Sequence, residues 1–314
     1  MTQITAKIIA DSVSVVNGQR ITTFELTYPR FIHSELMTHR LFSRNAMSSR
    51  AVPIEKMVEQ VLNETANPIH WGKNQSGMQA KEELLAPQLN EVQGMWYDAA
   101  KEAAYIAKKM SRCNAHKQIV NRILEPFQLM KTVLTATEFD NFFWLRCHED
   151  AQPEIKDLAD KMHKAVSESK EQSRIVHLEP GDWHVPYYAS GSWKHDYDME
   201  YYGTPLEDAL AISSSCCAQV SYRLLDDSIE KARKVYQRLV ESTPVHASPF
   251  EHQASPMKTV EWPEYCDPSV WLDVEEKGVT HADREGKYWS GNFKSWIQYR
   301  QLISGNVCNK FEEK

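Results

Sequence analysis

The chain holds 314 residues in 36.3 kDa, with 42% apolar and 25% charged side chains, a globular mix that excludes disordered and collagenous classes. Lys plus Arg number 36 against 43 Asp plus Glu, giving a net charge of −7 and a pI near 6.0. That balance disfavours coating of nucleic acid or an anionic membrane, while a local basic patch remains free to hold phosphate.

No basic leader with a following apolar run opens the sequence, and no stretch nears the roughly 18 apolar residues of a membrane span. A soluble cytoplasmic protein with no membrane partner is expected, folded as one domain over 1–314. The six cysteines (Cys113, Cys147, Cys216, Cys217, Cys266 and Cys308) include no CxxC pair, so reduced thiols are expected and a zinc site is not.

Residues 4–16 and 19–28 are β-rich, and Asn17-Gly18 between them suits a two-residue type I′ hairpin. RFIHSELMTHRLF (30–42) has near-helical apolar spacing, and SRNAMSSRAVP (43–53) is loop-like in composition. Helices are expected over 54–65 and about 79–114, with a structured loop (67–79) between them. The chain turns strand-like after Pro126. EFDNFFWLRCHED and PEIKDLADKMHKAVSES then read as helices parted near Pro153. From 173 to 204 the sequence is loop-rich and aromatic, and helical patterns return at 205–217, 228–242 and in the C-terminal NFKSWIQYRQLI. The fold class expected is α/β of the α+β kind, an antiparallel sheet flanked by long helices.

Between Arg30 and Arg50 four arginines (Arg30, Arg40, Arg44, Arg50) face one acid, Glu35, a local charge of +3 in an acidic chain, with His33 and His39 as further donors. Arg40, Ser43, Asn45, Ser48, Ser49 and Arg50 supply guanidinium forks, hydroxyls and loop N–H groups, the chemistry a phosphate or pyrophosphate needs. A solvated helix face with a Ser-rich cap is the alternative. Arg122 and Arg146 sit in apolar stretches, so each is either paired structurally or aimed at an anionic ligand. In HASPFEH, His246, Glu251 and His252 lack the i, i+4 spacing that sets two histidines on one helix face for zinc. No GxGxxG, P-loop or GxSxG motif occurs, and no cysteine falls within the Arg/Ser cluster.

THRLFSRNAMSSR (38–50) resembles the signature of the flavin-dependent thymidylate synthases. NRILEPF followed by NFFWLRCHEDAQPEI is similar to that family's second block, and SCCAQVSYR (215–223) and HASPFEH (246–252) to two more. In the family those last two precede the signature; here they follow it by about two hundred residues, as in a circular permutation.

The resemblance implies a homotetrameric α/β enzyme with shared active sites. It would convert dUMP to dTMP with FAD, NADPH and methylene-tetrahydrofolate, with hydride from reduced flavin in place of a cysteine nucleophile. By position, Ser48, Ser49 and Arg50 would hold the dUMP phosphate with Glu35 and Leu36 nearby, and Arg122 would be a second nucleotide contact. Arg146 would face the uracil and favour ionised N3; Ser48 and Arg146 are the residues expected to carry catalysis. His39, Arg40, Asn141 and Ser248 would contact FAD, as would position 38, where Thr38 replaces the family's arginine. Other departures are Glu35 for Gln, Ala46 for Glu, and Thr135 and Thr137 for an Asn and an Arg. Arg112, Lys117 and Arg300 are candidates to replace the lost cation. The departures leave open a pyrimidine (dCMP or dUMP) hydroxymethylase or methylase, a non-catalytic nucleotide- or RNA-binding protein, and a metal-dependent hydrolase.

Overall fold

The computed structural model describes residues 3–195, 204–220, 226–258, 276–308 and 310. A five-stranded sheet in the order β3-β4-β2-β1-β5 is built from β1 (Thr5–Ser14), β2 (Arg20–Pro29), β3 (Ser43–Ala46), β4 (Leu129–Ala136) and β5 (Val176–Leu178). All its pairs are antiparallel except β1–β5. Interspersed are α1 (His33–Leu36), α2 (Ile54–Asn63), α3 (Gln88–Arg112), α4 (Lys117–Val120), α5 (Asp140–Arg146) and α6 (Pro153–Glu171). Beyond them come β6 (Trp183–His184), β7 (Ser192–Trp193), α7 (Leu206–Ala218), α8 (Ile229–Glu241) and β8 (Ala254–Pro256). The C-terminal part adds β9 (His281–Ala282), β10 (Tyr288–Ser290), β11 (Phe293–Lys294) and β12 (Trp296–Gln298). The expected α+β class holds.

Strand alternation gives the large sheet two different faces. One carries Phe24, Leu26 and Tyr28 from β2 and Met130, Leu134 and Ala136 from β4. They pack with Met57, Ala104, Phe142, Ile155, Leu158 and Met162 of the helices. Each fully buried large side chain stabilises this layer by about 1.5–3 kcal/mol. The other face is mixed and also closed, with Ile21 and Val133 buried in small apolar clusters beside polar side chains. Ser12, Thr23 and Thr135 are wholly buried beneath β6 and the 3-10 turn Ser248–Glu251.

Across that face runs one chain of hydrogen bonds: Ser12 Oγ–His184 Nδ1 (2.9 Å), His184 Nε2–Thr23 Oγ1 (2.8 Å), Thr23 Oγ1–Thr135 Oγ1 (2.7 Å) and Thr135 Oγ1–His252 Nδ1 (2.8 Å). Burial holds both imidazoles down to about 3, so both are neutral. At the far edge, buried Asp11 takes Arg20 Nε at 2.8 Å, Thr22 Oγ1 at 3.0 Å and Ser169 Oγ at 2.5 Å, tying α6 to the sheet.

Four expectations change. Asn17-Gly18 does not close a two-residue turn, because type I′ needs positive φ at both centres and only Gly18 (φ 72°) has it. Gly18 N–H donates to Ser14 O and the Asn17 side chain accepts from Gln19 N–H, making a longer loop. The 30–42 helix shrinks to a 3-10 turn (Arg30–Ile32) and α1. The residues that follow include β3, a strand whose ladder partners come from β4 rather than from its own composition. Helix α3 starts only after Pro87. The C-terminal NFKSWIQYRQLI is not one helix: Ser295 takes φ 60°, β12 pairs with β8, which buries Phe293 and Trp296 completely, and only Tyr299–Leu302 winds into a 3-10 turn.

Candidate active site

The short α1 and the last turn of α5 bring four predicted residues together. Arg146 Nε donates to His39 Nε2 at 3.0 Å, its Nη2 lies 3.5 Å from Thr38 Oγ1, and its Nη1 lies 3.7 Å from Glu35 Oε2. Thr38 Oγ1 in turn donates to Glu35 O at 2.7 Å. Aromatic packing aims the guanidinium: Phe142, four residues before it on α5, meets His39 edge-on at 4.8 Å and Phe42 at 5.1 Å. Burial and the Arg146 and Arg44 charges push His39 down to about 4, so its Nε2 accepts.

Arg44, one of the four arginines of the 30–50 run but given no role by the sequence, organises the centre. It projects from β3, is half-buried and donates to Leu36 O at 3.0 Å. Leu36 therefore offers neither its carbonyl, taken by Arg44, nor its side chain, which lies in the core. Next to it Tyr28 Oη bonds His33 Nδ1 (2.9 Å) and Thr132 Oγ1 (2.7 Å). Burial, then Arg30 and Arg44, lower His33. His33 thus lies between the Arg44 end and a second cluster.

In that second cluster Glu125 Oε1 receives Arg122 Nη1 at 2.8 Å, Ser49 Oγ at 2.8 Å and Arg30 Nη2 at 3.1 Å. Asn121, fully buried, holds the Ser49 turn through bonds to Ser49 O (2.7 Å) and Val52 O (2.9 Å). Arg122 is not buried as its apolar surroundings suggested: it follows Asn121 on the outward side of a 3-10 turn, and its side chain is 52% exposed against 20% for Arg146. Ser48 is half-buried, and Arg50, Arg40, Asn141 and Ser248 are exposed; no side-chain bond joins these five to either cluster. Arg30 and Glu125 were not predicted as site residues. An arginine at the end of β2 and the acid of an R-x-x-E turn were the signals available.

Several expected residues serve the scaffold. Thr135 belongs to the buried chain and Thr137 Oγ1 accepts from Lys294 N–H at 3.0 Å, so neither departure faces a ligand. Ser43 Oγ donates to Asn292, Asn45 Nδ2 to Cys217 O, and Ala46 sits in the β3–β4 ladder. None of the three candidates for the missing cation stands by Thr38: Arg300 pairs with Glu251, Lys117 with Ala51 O, and Arg112 lines a groove between α2 and α3. The cations there are Arg146 and, through His39, Arg44. In HASPFEH, His252 faces Thr135, Glu251 faces Arg300 and His246 is exposed, so the three side chains diverge. Ser221, Tyr222 and Arg223 lie outside the described residues. The unplaced 67–79 loop helps line a cavity of about 620 Å³ with Trp71, Tyr97 and Gln93, and no residue of either cluster borders it. Among the described residues no helix is long and apolar enough to cross a membrane.

The donor set suits a flavin dinucleotide. Arg40 makes no ion pair among the described residues. Asn141 adds an exposed amide, Thr38 an exposed hydroxyl that already donates to Glu35 O, and the Trp144 ring on α5 is 75% exposed. Burial raises the thiols of Cys147 and Cys216 to about 11 and about 12 and that of Cys217 well above its ordinary value, which makes all three poor nucleophiles.

No curated protein matches the chain. Among solved structures it is similar to a UMP/dUMP methylase, PolB, from Streptomyces cacaoi bound with 5-Br UMP, at 16% identity and a TM-score of 0.44 over 54% of this chain and 90% of that one. It is also similar to the flavin-dependent thymidylate synthase ThyX from Helicobacter pylori complexed with FAD and dUMP, at 21% identity and a TM-score of 0.34 over 48% and 70%. The model of the thymidylate synthase complementing proteins (Thy1) matches residues 6–169, just over half the chain and the span that holds both clusters. The chain belongs to the thymidylate synthase complementing protein family.

Proposed function

We infer that this protein is a flavin-dependent thymidylate synthase, converting dUMP to dTMP with methylene-tetrahydrofolate as carbon donor and NADPH as reductant. One observation carries the reading: within the family-matched span, Glu35, Thr38 and His39 converge on Arg146 while Arg30, Arg122 and Ser49 converge a short way off. Two cationic ends, with Arg44 and His33 between them, match a pyrimidine at one end and its 5′-phosphate at the other.

In this reading Arg146, aimed by His39 and Phe142, stabilises negative charge on the uracil N3–C4 edge and so raises electron density at C5. Neutral His39 leaves the whole positive charge on the guanidinium. Ser48, Ser49, Arg50, Arg122 and Arg30 hold the phosphate and fix the ring by its far end. Thr38, His39, Arg40, Asn141 and Ser248 hold FAD, which when bound supplies the reducing equivalents and removes the need for a thiolate. A homotetramer with shared sites and the permuted order of blocks belong to the same proposal. The latter is supported by Asn45 bonding Cys217 O and Thr135 bonding His252, which set both late blocks against β3 and β4.

Glu35 favours a second reading. Its Oε2 is buried without a hydrogen bond beside Arg146, and a carboxylate there accepts the exocyclic amine of cytosine, as a dCMP methylase or hydroxymethylase would use.

The test is the visible spectrum of the purified protein with FAD, titrated with dUMP and then dCMP, followed by product analysis with methylene-tetrahydrofolate and NADPH. Perturbation by dUMP and formation of dTMP are expected. A response to dCMP alone moves the second reading ahead, and no bound flavin overturns both.

A further inference from the structure

Glu125 stands apart in the anion end because it is the acid there. Its Oε1 accepts from three separate segments: Arg30 beyond β2, Ser49 beyond β3 and Arg122 of its own 3-10 turn, at 3.1, 2.8 and 2.8 Å. Two guanidinium groups around one carboxylate leave a single net positive charge, and the convergence point is where an anionic oxygen of a ligand would sit. The carboxylate side chain is 22% exposed, so it has a route to water.

We propose that Glu125 is an internal competitor of the ligand: an anion that keeps Arg30, Arg122 and Ser49 converged and that the phosphate must displace, so that it weakens every anion and leaves a net gain only to a doubly charged phosphate monoester. The argument rests on the reading that this end takes the nucleotide's 5′-phosphate. Replacing one negative charge by two in front of two guanidiniums gains attraction. Replacing one by one gains none, and the displaced side chain must still be reordered. The site therefore discriminates a monoester dianion from a phosphodiester of the same nucleoside, and from the monoester itself once it binds its second proton near pH 6. Glu125 touches no reacting atom; it sets which ligands enter.

The experiment is equilibrium binding of dUMP and of its 5′-O-methyl phosphodiester to the full-length protein and to Glu125→Gln and Glu125→Asp, from pH 5 to 8. The unaltered protein is expected to favour dUMP by about tenfold or more and to lose that preference below about pH 6. Glu125→Gln keeps an acceptor but no charge. It should bind both ligands more tightly, each by about tenfold, with the preference for dUMP kept, because the displacement it removes is common to both. Glu125→Asp should bind both as the parent does. Unchanged or weaker binding of both ligands to a Glu125→Gln variant that melts like the parent overturns the proposal. So does a parent protein that binds neither ligand, which removes the phosphate reading as well. A parent that shows the preference yet forms no dTMP leaves the proposal standing while the synthase reading falls.

Discussion

The buried chain from Ser12 to His252 makes the protein acid-sensitive in a way that can be worked out in advance. His184 and His252 are held at about 3 against an ordinary value of 6.5, chiefly by burial, and for His252 also by the nearby His184. Below about pH 6.5 the unfolded chain takes up a proton at each, while the folded chain refuses it until about pH 3. Stability is therefore complete above pH 6.5 and falls as pH drops. Integrating that uptake gives a loss of about 2 kcal/mol per histidine between pH 7 and 5, about 4 kcal/mol for the pair. The perturbation is His252→Asn, whose short amide can still meet Thr135 Oγ1 from the Nδ1 side but cannot titrate. The assay is urea unfolding at pH 7, 6 and 5 at one protein concentration. The variant should start less stable yet lose about 2 kcal/mol less than the parent over that range. An identical pH dependence in parent and variant would refute the claim that His252 is buried and neutral.

Arg146→Lys removes the planar fork that reaches His39, Thr38 and Glu35. It is expected to lower kcat/KM for dUMP about 10- to 100-fold, read by tritium release from C5-labelled substrate, with the melting temperature nearly unchanged. Glu35→Gln should shift the ratio of dCMP to dUMP binding towards dUMP, scored by competition in the flavin spectrum; a ratio that does not move removes Glu35 from the base end. Asn121→Ala strips two bonds from the Ser49 turn. It should destabilise by about 2–3 kcal/mol in urea and raise KM for the nucleotide, and a stable variant with normal KM would show that the turn holds itself.

What the sequence alone determined is what local physics writes into neighbouring residues. The alternation in β2, the helical spacing of α5 and α6 and the Pro153 break all have periods of a few residues, so they survive reading without a fold. The Arg-rich run at 30–50 and its likeness to a family signature marked Glu35, Thr38 and His39, and the second block with its apolar setting marked Arg146, before their contacts were visible.

Tertiary structure decided the rest, because the partners are far apart along the chain. β3 has the composition of a loop and becomes a strand only because β4, nearly ninety residues on, offers a ladder. NFKSWIQYRQLI has helical spacing but meets β8, and a left-handed Ser295 spends that spacing on two short strands. Thr135 looks like a lost ligand contact until His252 arrives from 117 residues away to bond it. Glu125 looks like one acid in a turn; only the fold brings Arg30 and Ser49 to its single oxygen. Charge and periodicity act locally and can be read in order along the chain, whereas convergence on one atom is a property of the folded chain alone.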